Sequence, residues 1–402
     1  MTLSTKYQLN IYILLVLIVG CDTIRQPQDS HALNSEIIFY SSKTISLTGD
    51  YEFRNSTNYQ IYYFNEADSS KYLVRRDKWR NRIEFFNLDN QKLDFVMELS
   101  STGPDGIGKL GAFTIVNFDS IYLFGLYRKT IFLMDTTAKV KDKYYFNEND
   151  YASLGDYFVS TGAPMIRTKH KVFSLALFPA IDMAKLPEAF YKSSIHVNIN
   201  IDSNFIQNSA IRYPAIYLNN NYAAGIDINY TYRTYNDLNF TYIFSFPVDP
   251  HIYVETLDGN IEKHYSPSQF FDFSPPAKSK NYDWEHERLY YIQTPKYLNI
   301  VYDKYRNVYY RFCQLPVKYE KGMYLPPNVS EIMPFSIMVL DENFTIIGEQ
   351  LFAANQYIYT NYFINEEGLW MSASNPENPY FNENKLSFEL LTIDDEILAK
   401  TK

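Results

Sequence analysis

Cysteine is nearly absent: 402 residues carry two, Cys21 and Cys313. A short disulfide-stapled scaffold is excluded, and so long a chain can bury a core that needs no cross-link. Basic charge is also short. The formal net charge of −9 argues against a general nucleic-acid binder, which needs a cationic face to displace phosphate counterions. Catalytic and cofactor motifs are missing as well. The six histidines (His31, His170, His196, His251, His264, His286) show no i,i+2 or i,i+4 pair, and no H-E-x-x-H, C-x-x-C or G-x-S-x-G occurs. The zincin, structural-zinc and α/β-hydrolase readings lack their basic parts, and no cofactor or metal is expected from local motifs. A metal site gathered from distant segments stays open. What the chain has in quantity is aromatic surface, 38 Tyr and 29 Phe against 14 Gly. With 46% apolar residues, it is not a disordered protein.

Long hydrophobic runs are absent except near the start. Lys6 is followed by the apolar run Ile11–Val19 and then Gly20. Nine residues make about 14 Å of helix, too short for a roughly 30 Å hydrocarbon core, so residues 1–20 read as a secretory signal. Ile18-Val19-Gly20-Cys21 resembles the bacterial lipobox. That resemblance implies cleavage before Cys21, diacylation of its thiol and acylation of the new amino terminus, a nearly irreversible membrane anchor. The alternatives are an ordinary signal peptide or one membrane-spanning anchor with an incidental cysteine. Cleavage leaves 36 basic and 46 acidic residues, net −10, with Cys313 as the lone thiol. Residues 21–35 read as a polar, flexible tether from the lipidated cysteine. The expected location is extracytoplasmic and lipid-anchored in the cell envelope, at the outer membrane or cell surface.

Beyond the tether, residues 36–402 read as one all-β domain. Ile83–Phe86, Ile131–Met134, Ile252–Glu255 and Phe335–Val339 are short runs rich in β-branched and aromatic residues. Each runs into a turn: Asn87–Asn90, Asp135–Ala138, Leu257–Asn260 and Leu340–Asn343. Asn, Asp and Gly supply the backbone angles and local hydrogen bonds that tight hairpins need. Asp89 to Asp135 is 46 residues and Asp258 to Asp341 is 83, nearly two units. Repeats of that length built from strands predict a β-propeller of four-stranded blades, six rather than seven. The blades fall at about 59–101, 112–147, 164–214, 222–266, 289–352 and 357–398. A strand near Lys43–Thr48 is placed to complete the last blade, and Ala180–Lys192 is a short helix or a loop insertion. Two β-sandwiches in series are the alternative, but no Pro/Gly/Ser-rich linker divides the body.

Further motifs carry a family resemblance. Gly103–Gly108 follows the first blade, Asn117–Tyr122 opens the second, and Tyr309-Tyr310-Arg311-Phe312 lies in the fifth. With the lipobox, and in this order, they resemble a lipoprotein family of Bacteroidota-type bacteria known as domain of unknown function 4221. The resemblance runs from about residue 36 to 397. It implies a fold similar to six-bladed propellers and an envelope location, with no assigned activity.

Gly103–Lys109 fits the G-x-x-x-x-G-K spacing of a phosphate loop. Leu110 replaces the Mg²⁺-binding hydroxyl, however, and Asp105 opposes phosphate, so an inter-blade turn is the better reading. Asp283–Arg288 is the densest polar cluster. Trp284 could stack on a sugar and His286 could serve acid–base work, against a plain solvated loop or helical turn. On a strand, Tyr309 and Arg311 share one face and Tyr310 and Phe312 the other. Arg311 is either a salt-bridging residue within the ring or a guanidinium at a ligand surface. Most tyrosines are structural, while 375–380 and Lys321–Pro327 read as exposed loops suited to a partner. The candidate residues are therefore Cys21 for lipidation and Arg311, Tyr309, Trp284 and His286 for a ligand. The expected role is a binding module for a glycan, peptide or partner protein, rather than an enzyme. A hydrolase or lyase with a site in the channel, or a structural accessory of an envelope machine, are the alternatives. Converging carboxylates or histidines would mark the enzyme, and an aromatic-lined open face the binder.

Overall fold

The computed structural model describes residues 38–49, 59–77, 79–145, 156–183, 185–203, 205–219, 226–272, 284–320 and 333–399. The signal segment, Cys21, the tether and Lys321–Pro327 lie outside the described residues. The body, Glu36–Lys402, is one compact unit.

The first strand, β1 (Phe39–Thr48), leads into six antiparallel blades. Blade 1 holds β2 (Gln60–Asn65), β3 (Ser70–Asp77), β4 (Arg82–Asn87) and β5 (Lys92–Glu98). Blade 2 holds β6 (Leu110–Asn117), β7 (Ser120–Gly125), β8 (Thr130–Met134) and β9 (Val140–Tyr145). Blade 3 begins with β10 (Asp156–Phe158) and β11 (Ile166–Arg167), which both pair with β12 (Val172–Phe178). It continues with β13 (His196–Asn200) and β14 (Phe205–Asn208). Blade 4 holds β15 (Tyr232–Asn236), β16 (Thr241–Ser245), β17 (His251–Glu255) and β18 (Ile261–Tyr265). Blade 5 holds β19 (Lys296–Asp303), β20 (Val308–Gln314), β21 (Phe335–Leu340) and β22 (Ile346–Phe352). Blade 6 has β23 (Ile358–Ile364), β24 (Leu369–Ser372) and β25 (Lys385–Ile393), and takes β1 as its fourth strand.

This is the six-bladed propeller the hairpin spacing predicts. The four predicted turns are the same element, the connection from third to fourth strand in blades 1, 2, 4 and 5. Blade 3 starts earlier than expected, because an interruption containing Gly162 and Pro164 splits its inner strand. The region Ala180–Lys192 holds a short helix, α1 (Pro187–Lys192). One expectation is refined by packing. Alternation between buried and more exposed residues runs through much of β22 and β25, whereas every residue of β20 and β21 is buried. An inner sheet lies between two neighbouring sheets, so both of its faces need apolar side chains.

Alternating strand direction sorts the connections to two ends. One, the turn end, carries the tight turns between first and second and between third and fourth strands. Strand-ending Asn or Asp side chains cap these turns. Asn87 Oδ1 accepts from Asp89 N (3.0 Å) and Asn90 N (3.1 Å), and Asp303 Oδ1 from Tyr305 N (3.0 Å) and Arg306 N (3.2 Å). The chain then turns through a left-handed residue, Gln91 (φ 59°) or Asn307 (φ 53°). The other, the loop end, carries longer connections with α1, α2 (Ile216–Asn219) and α3 (Trp284–Gln293). The last helix, α4 (Asp395–Ala399), follows β25.

Strand β1 ties three blades together. It pairs with β25 from Phe39↔Ile393 to Thr48↔Lys385. Its start is held to blade 5, where Gln350 Oε1 accepts from Ile38 N (2.8 Å) and Phe39 N (2.7 Å). Its finish is held to blade 1, with Thr48 N donating to Gln91 O (3.1 Å) and Ser46 N to Gln91 Oε1 (3.0 Å). Gln350→Ala leaves two backbone donors without their acceptor beside the buried Ile38 and Phe39. It should cost about 1–3 kcal/mol in urea unfolding with the m-value unchanged.

Candidate functional site

Three aromatic side chains stand out on the loop end, one each from blades 6, 1 and 2, which are consecutive in the ring. Trp79, between β3 and β4, is 64% exposed; Tyr127, between β7 and β8, 74%; and Tyr380, between β24 and β25, 93%. Each sits on a hydrogen-bonded backbone. Asp77 Oδ1 accepts from Trp79 N (2.9 Å) and Arg80 N (3.0 Å). Around Tyr127, Leu126 N donates to Lys109 O (2.9 Å) and Lys129 N to Gly125 O (2.8 Å). Asn378 Oδ1 accepts from Tyr380 N (2.9 Å), and Asn375 Oδ1 from Glu377 N (3.0 Å). A rigid aromatic on a preorganised turn offers contact area at small entropic cost.

The Gly103–Lys109 segment is an inter-blade turn between β5 and β6. Its groups are spent on blade 2: Arg128 Nη1 donates to Gly106 O (2.7 Å), Lys143 Nζ to Pro104 O (2.6 Å) and Val140 N to Asp105 Oδ1 (3.1 Å). Gly103 and Gly108 hold φ of 80° and 75°, which glycine reaches without a Cβ clash.

The predicted strand face is real, but it looks into a seam between blades. Tyr309 and Arg311 face blade 4, and Tyr310 and Phe312 pack in the core of blades 5 and 6. Arg311 is buried and open to no ligand. Its Nε donates to Ser245 Oγ (3.0 Å), Nη1 to Pro250 O (2.7 Å) and Ser266 O (3.1 Å), and Nη2 to Asp249 O (2.8 Å) and His251 O (3.3 Å). Its guanidinium also lies 3.9 Å from the centroid of Tyr297. Among the described residues it forms no salt bridge, and it is not a surface guanidinium. The carbonyls of blade 4 replace its hydration. Tyr309 is buried too, accepting from Asn236 Nδ2 (2.7 Å) and stacking on Phe344 at 4.7 Å. Arg311→Ala removes a whole set of charge-assisted bonds and should cost about 3 kcal/mol or more in unfolding free energy.

Trp284 opens α3 at the loop end, with its side chain outside the described residues, and His286 is exposed on the same helix. The far end of α3 docks on the inner wall. Tyr291 Oη shares a hydrogen bond with Tyr359 Oη (2.9 Å), Tyr359 Oη donates to Gln314 Oε1 (3.1 Å), and Gln314 Nε2 returns to Tyr291 O (3.1 Å). The buried Lys296 holds its ammonium 3.0 Å from the Tyr291 ring centroid.

A Ser–His–Glu array crosses the seam between blades 3 and 4. Arg233 Nη1 donates to Ser174 Oγ (2.5 Å), which contacts His196 Nε2, and His196 Nδ1 faces Glu255 Oε2 at 3.7 Å. The Glu255 carboxylate facing Nδ1 favours the tautomer that carries its proton there, which leaves Nε2 to accept from the Ser174 hydroxyl. Glu255 is held further by Ser209 Oγ (2.6 Å) and Ala210 N (2.7 Å). The order suits a nucleophile, yet Ser174, His196 and Glu255 are all buried, and no substrate reaches the hydroxyl. Among the described residues, no three His, Cys, Asp or Glu side chains are grouped to hold a metal ion.

Burial first, and then the charge of Arg233, push His196 down to about 4. Its folded value lies below the unfolded 6.5, so neutral His196 contributes stability above pH 6.5 that is lost as pH falls towards 4. The full effect is about 3 kcal/mol. Glu349, pushed up by burial, acts in the opposite sense, so the variant comparison isolates the histidine. His196→Gln should flatten the stability profile between pH 6.5 and 4.5, measured by urea unfolding at each pH.

The sequence matches no curated protein. Among solved structures, it is similar to a member of the domain of unknown function 4221 family from Bacteroides vulgatus. That pair shares 22% identity over 89% of this chain and 98% of the other, at a TM-score of 0.76. A protein of unknown function from Bacteroides thetaiotaomicron is 10% identical over 87% and 76% of the two chains, at 0.43. A virginiamycin B lyase from Staphylococcus aureus is 12% identical over 87% and 99%, at 0.41. Residues 31–351 match the sequence pattern of the first family, and the chain belongs to it: domain of unknown function 4221.

Proposed function

We propose that the protein is a lipid-anchored propeller of the cell envelope, held at the outer membrane or cell surface through Cys21. It holds a glycan, peptide or partner protein on its loop end. The observation that carries this reading is the set of exposed aromatics Trp79, Tyr127 and Tyr380 on three consecutive blades.

The chemistry suits holding rather than turnover. Flat aromatic faces pack on sugar C–H surfaces or on peptide side chains, and neighbouring polar turns supply hydrogen bonds. The Ser174–His196–Glu255 array is sealed in a seam. Among the described residues, no helix is long and apolar enough to cross a membrane.

Two measurements test the reading. Cys21→Ala should release the protein from membranes, and continued membrane association contradicts the anchor. The triple variant Trp79→Ala/Tyr127→Ala/Tyr380→Ala should lose about tenfold or more in affinity for envelope polysaccharide in gel retardation or for envelope proteins in pull-down. Its melting temperature should stay near the parent's, because exposed side chains contribute little to folding. Unchanged binding contradicts the aromatic site.

A further inference from the structure

Around Trp79 and Tyr127 the loop end is basic, in a chain whose formal net charge is −9. Three segments meet there: the β3–β4 turn with Trp79 and Arg80, the β5–β6 loop with Lys109, and the β7–β8 turn with Tyr127 and Arg128. Hydrogen bonds lace them into one surface. Asn81 Nδ2 donates to Gly108 O (3.0 Å), and its Oδ1 accepts from Leu110 N (2.9 Å). Leu126 N donates to Lys109 O (2.9 Å), and Arg128 Nη1 to Gly106 O (2.7 Å). Across 77–81, 103–110 and 126–129 the described residues hold four bases (Arg80, Lys109, Arg128 and Lys129) against two acids, Asp77 and Asp105. Both acids are engaged. Asp77 caps its turn through Oδ1 and pairs with Arg80 through Oδ2 (3.3 Å), and Asp105 Oδ1 accepts from Val140 N (3.1 Å). Lys109 and Arg128 are exposed, and neither forms an ion pair among the described residues. The loop that carries Tyr380 differs: residues 373–384 contain Glu377 and Glu383 and no base. Charges in salt at physiological strength interact over about 8 Å. A group bound at this surface therefore senses the local excess of bases more than the charge of the whole chain.

We infer that this surface of blades 1 and 2 holds an anionic polysaccharide, one whose sugar rings carry carboxylate or sulfate groups. The inference rests on the loop-end binding reading and narrows its ligand. Trp79 and Tyr127 offer flat faces for the C–H surface of a sugar ring. Arg80, Lys109 and Arg128 lie on the same laced segments and meet its acidic groups, and a guanidinium fork matches two oxygens of one such group. A peptide fits less well. Recognition by strand addition needs an open sheet edge, whereas the backbone groups named here are spent on one another. The two rings, 64% and 74% exposed, protrude and do not line a groove.

The test passes the whole protein, in detergent, over immobilised dextran, dextran sulfate, polygalacturonate and poly-glutamate, with binding read by surface plasmon resonance at low and high salt. Dextran sulfate or polygalacturonate should bind, and dextran and poly-glutamate should not; which of the first two binds identifies the acidic group. The variant Arg80→Gln/Lys109→Gln/Arg128→Gln should weaken that binding about tenfold or more and flatten its salt dependence. Arg80→Lys/Lys109→Arg/Arg128→Lys keeps the charge and should recover most of the affinity, which separates charge from local rearrangement. Binding to the acidic polymers that the glutamine variant leaves unchanged contradicts the inference. Dextran held as tightly as dextran sulfate, and released by Trp79→Ala/Tyr127→Ala/Tyr380→Ala, overturns it and leaves the aromatic site standing. Poly-glutamate held as tightly, with Trp79→Ala without effect, assigns the surface to an acidic peptide and overturns it too. Retention of no polysaccharide also overturns it, and the aromatic reading then stands or falls with the pull-down of envelope proteins.

Discussion

Closure of the ring by its first strand is the constraint on which the rest of the fold depends. A blade is a small twisted sheet with both faces apolar, and alone it would expose two hydrophobic surfaces and two edges. Each face is covered by the next blade, so the set is stable only if the sixth meets the first. Strand β1 performs that junction. It pairs along β25 in blade 6, takes two backbone bonds from Gln350 in blade 5, and gives its last residues to Gln91 in blade 1. The sequence-distant ends of the body are thus neighbours, and the outer edge of the last blade is paired.

The seams use charge where a smaller core would use cysteine. Arg311 and Arg233 are buried cations that donate to carbonyls and hydroxyls of the preceding blade, Arg233 through its two Nη atoms. Such bonds are directional and costly to leave unmade, so they set how adjacent blades register as well as how tightly they adhere. His196 belongs to the same system as a neutral linker between Ser174 and Glu255. Cys313, buried with its thiol pushed far above the usual range by burial, is a core side chain and not a reactive one. With the seams so committed, the chemistry available to a partner lies on the two ends of the ring.

How much of this is legible in the sequence follows from how local each signal is. The turns at Asn87, Asp135, Asp258 and Asp341 are legible because each cap bonds its own backbone within a few residues, and their spacing counts the blades. Alternation correctly places Tyr309 and Arg311 on one face of a strand. It says nothing of what stands opposite that face. The partners of Arg311, from Ser245 to Ser266, are 45 to 66 residues away, so burial and exposure look the same until the blades are assembled. Trp79 and Tyr127 are hidden for the converse reason: among 67 Tyr and Phe residues, one aromatic in a short connection resembles any strand aromatic. Tyr380 is readable through its Asn-Pro-Glu-Asn-Pro setting, which forces a loop. The two-sided burial of β20 and β21 appears only as a run of apolar residues, a pattern shared with other buried strands.

Amide hydrogen exchange along β1 tests the closure most directly. If this strand is the junction on which the ring depends, the amides of Ile45 to Thr48 that pair with β25 or Gln91 should exchange only with global unfolding. Their opening free energy should then match that of β24 and β25. Exchange of β1 by a low-energy local opening, with the other five blades still protected, would contradict the account.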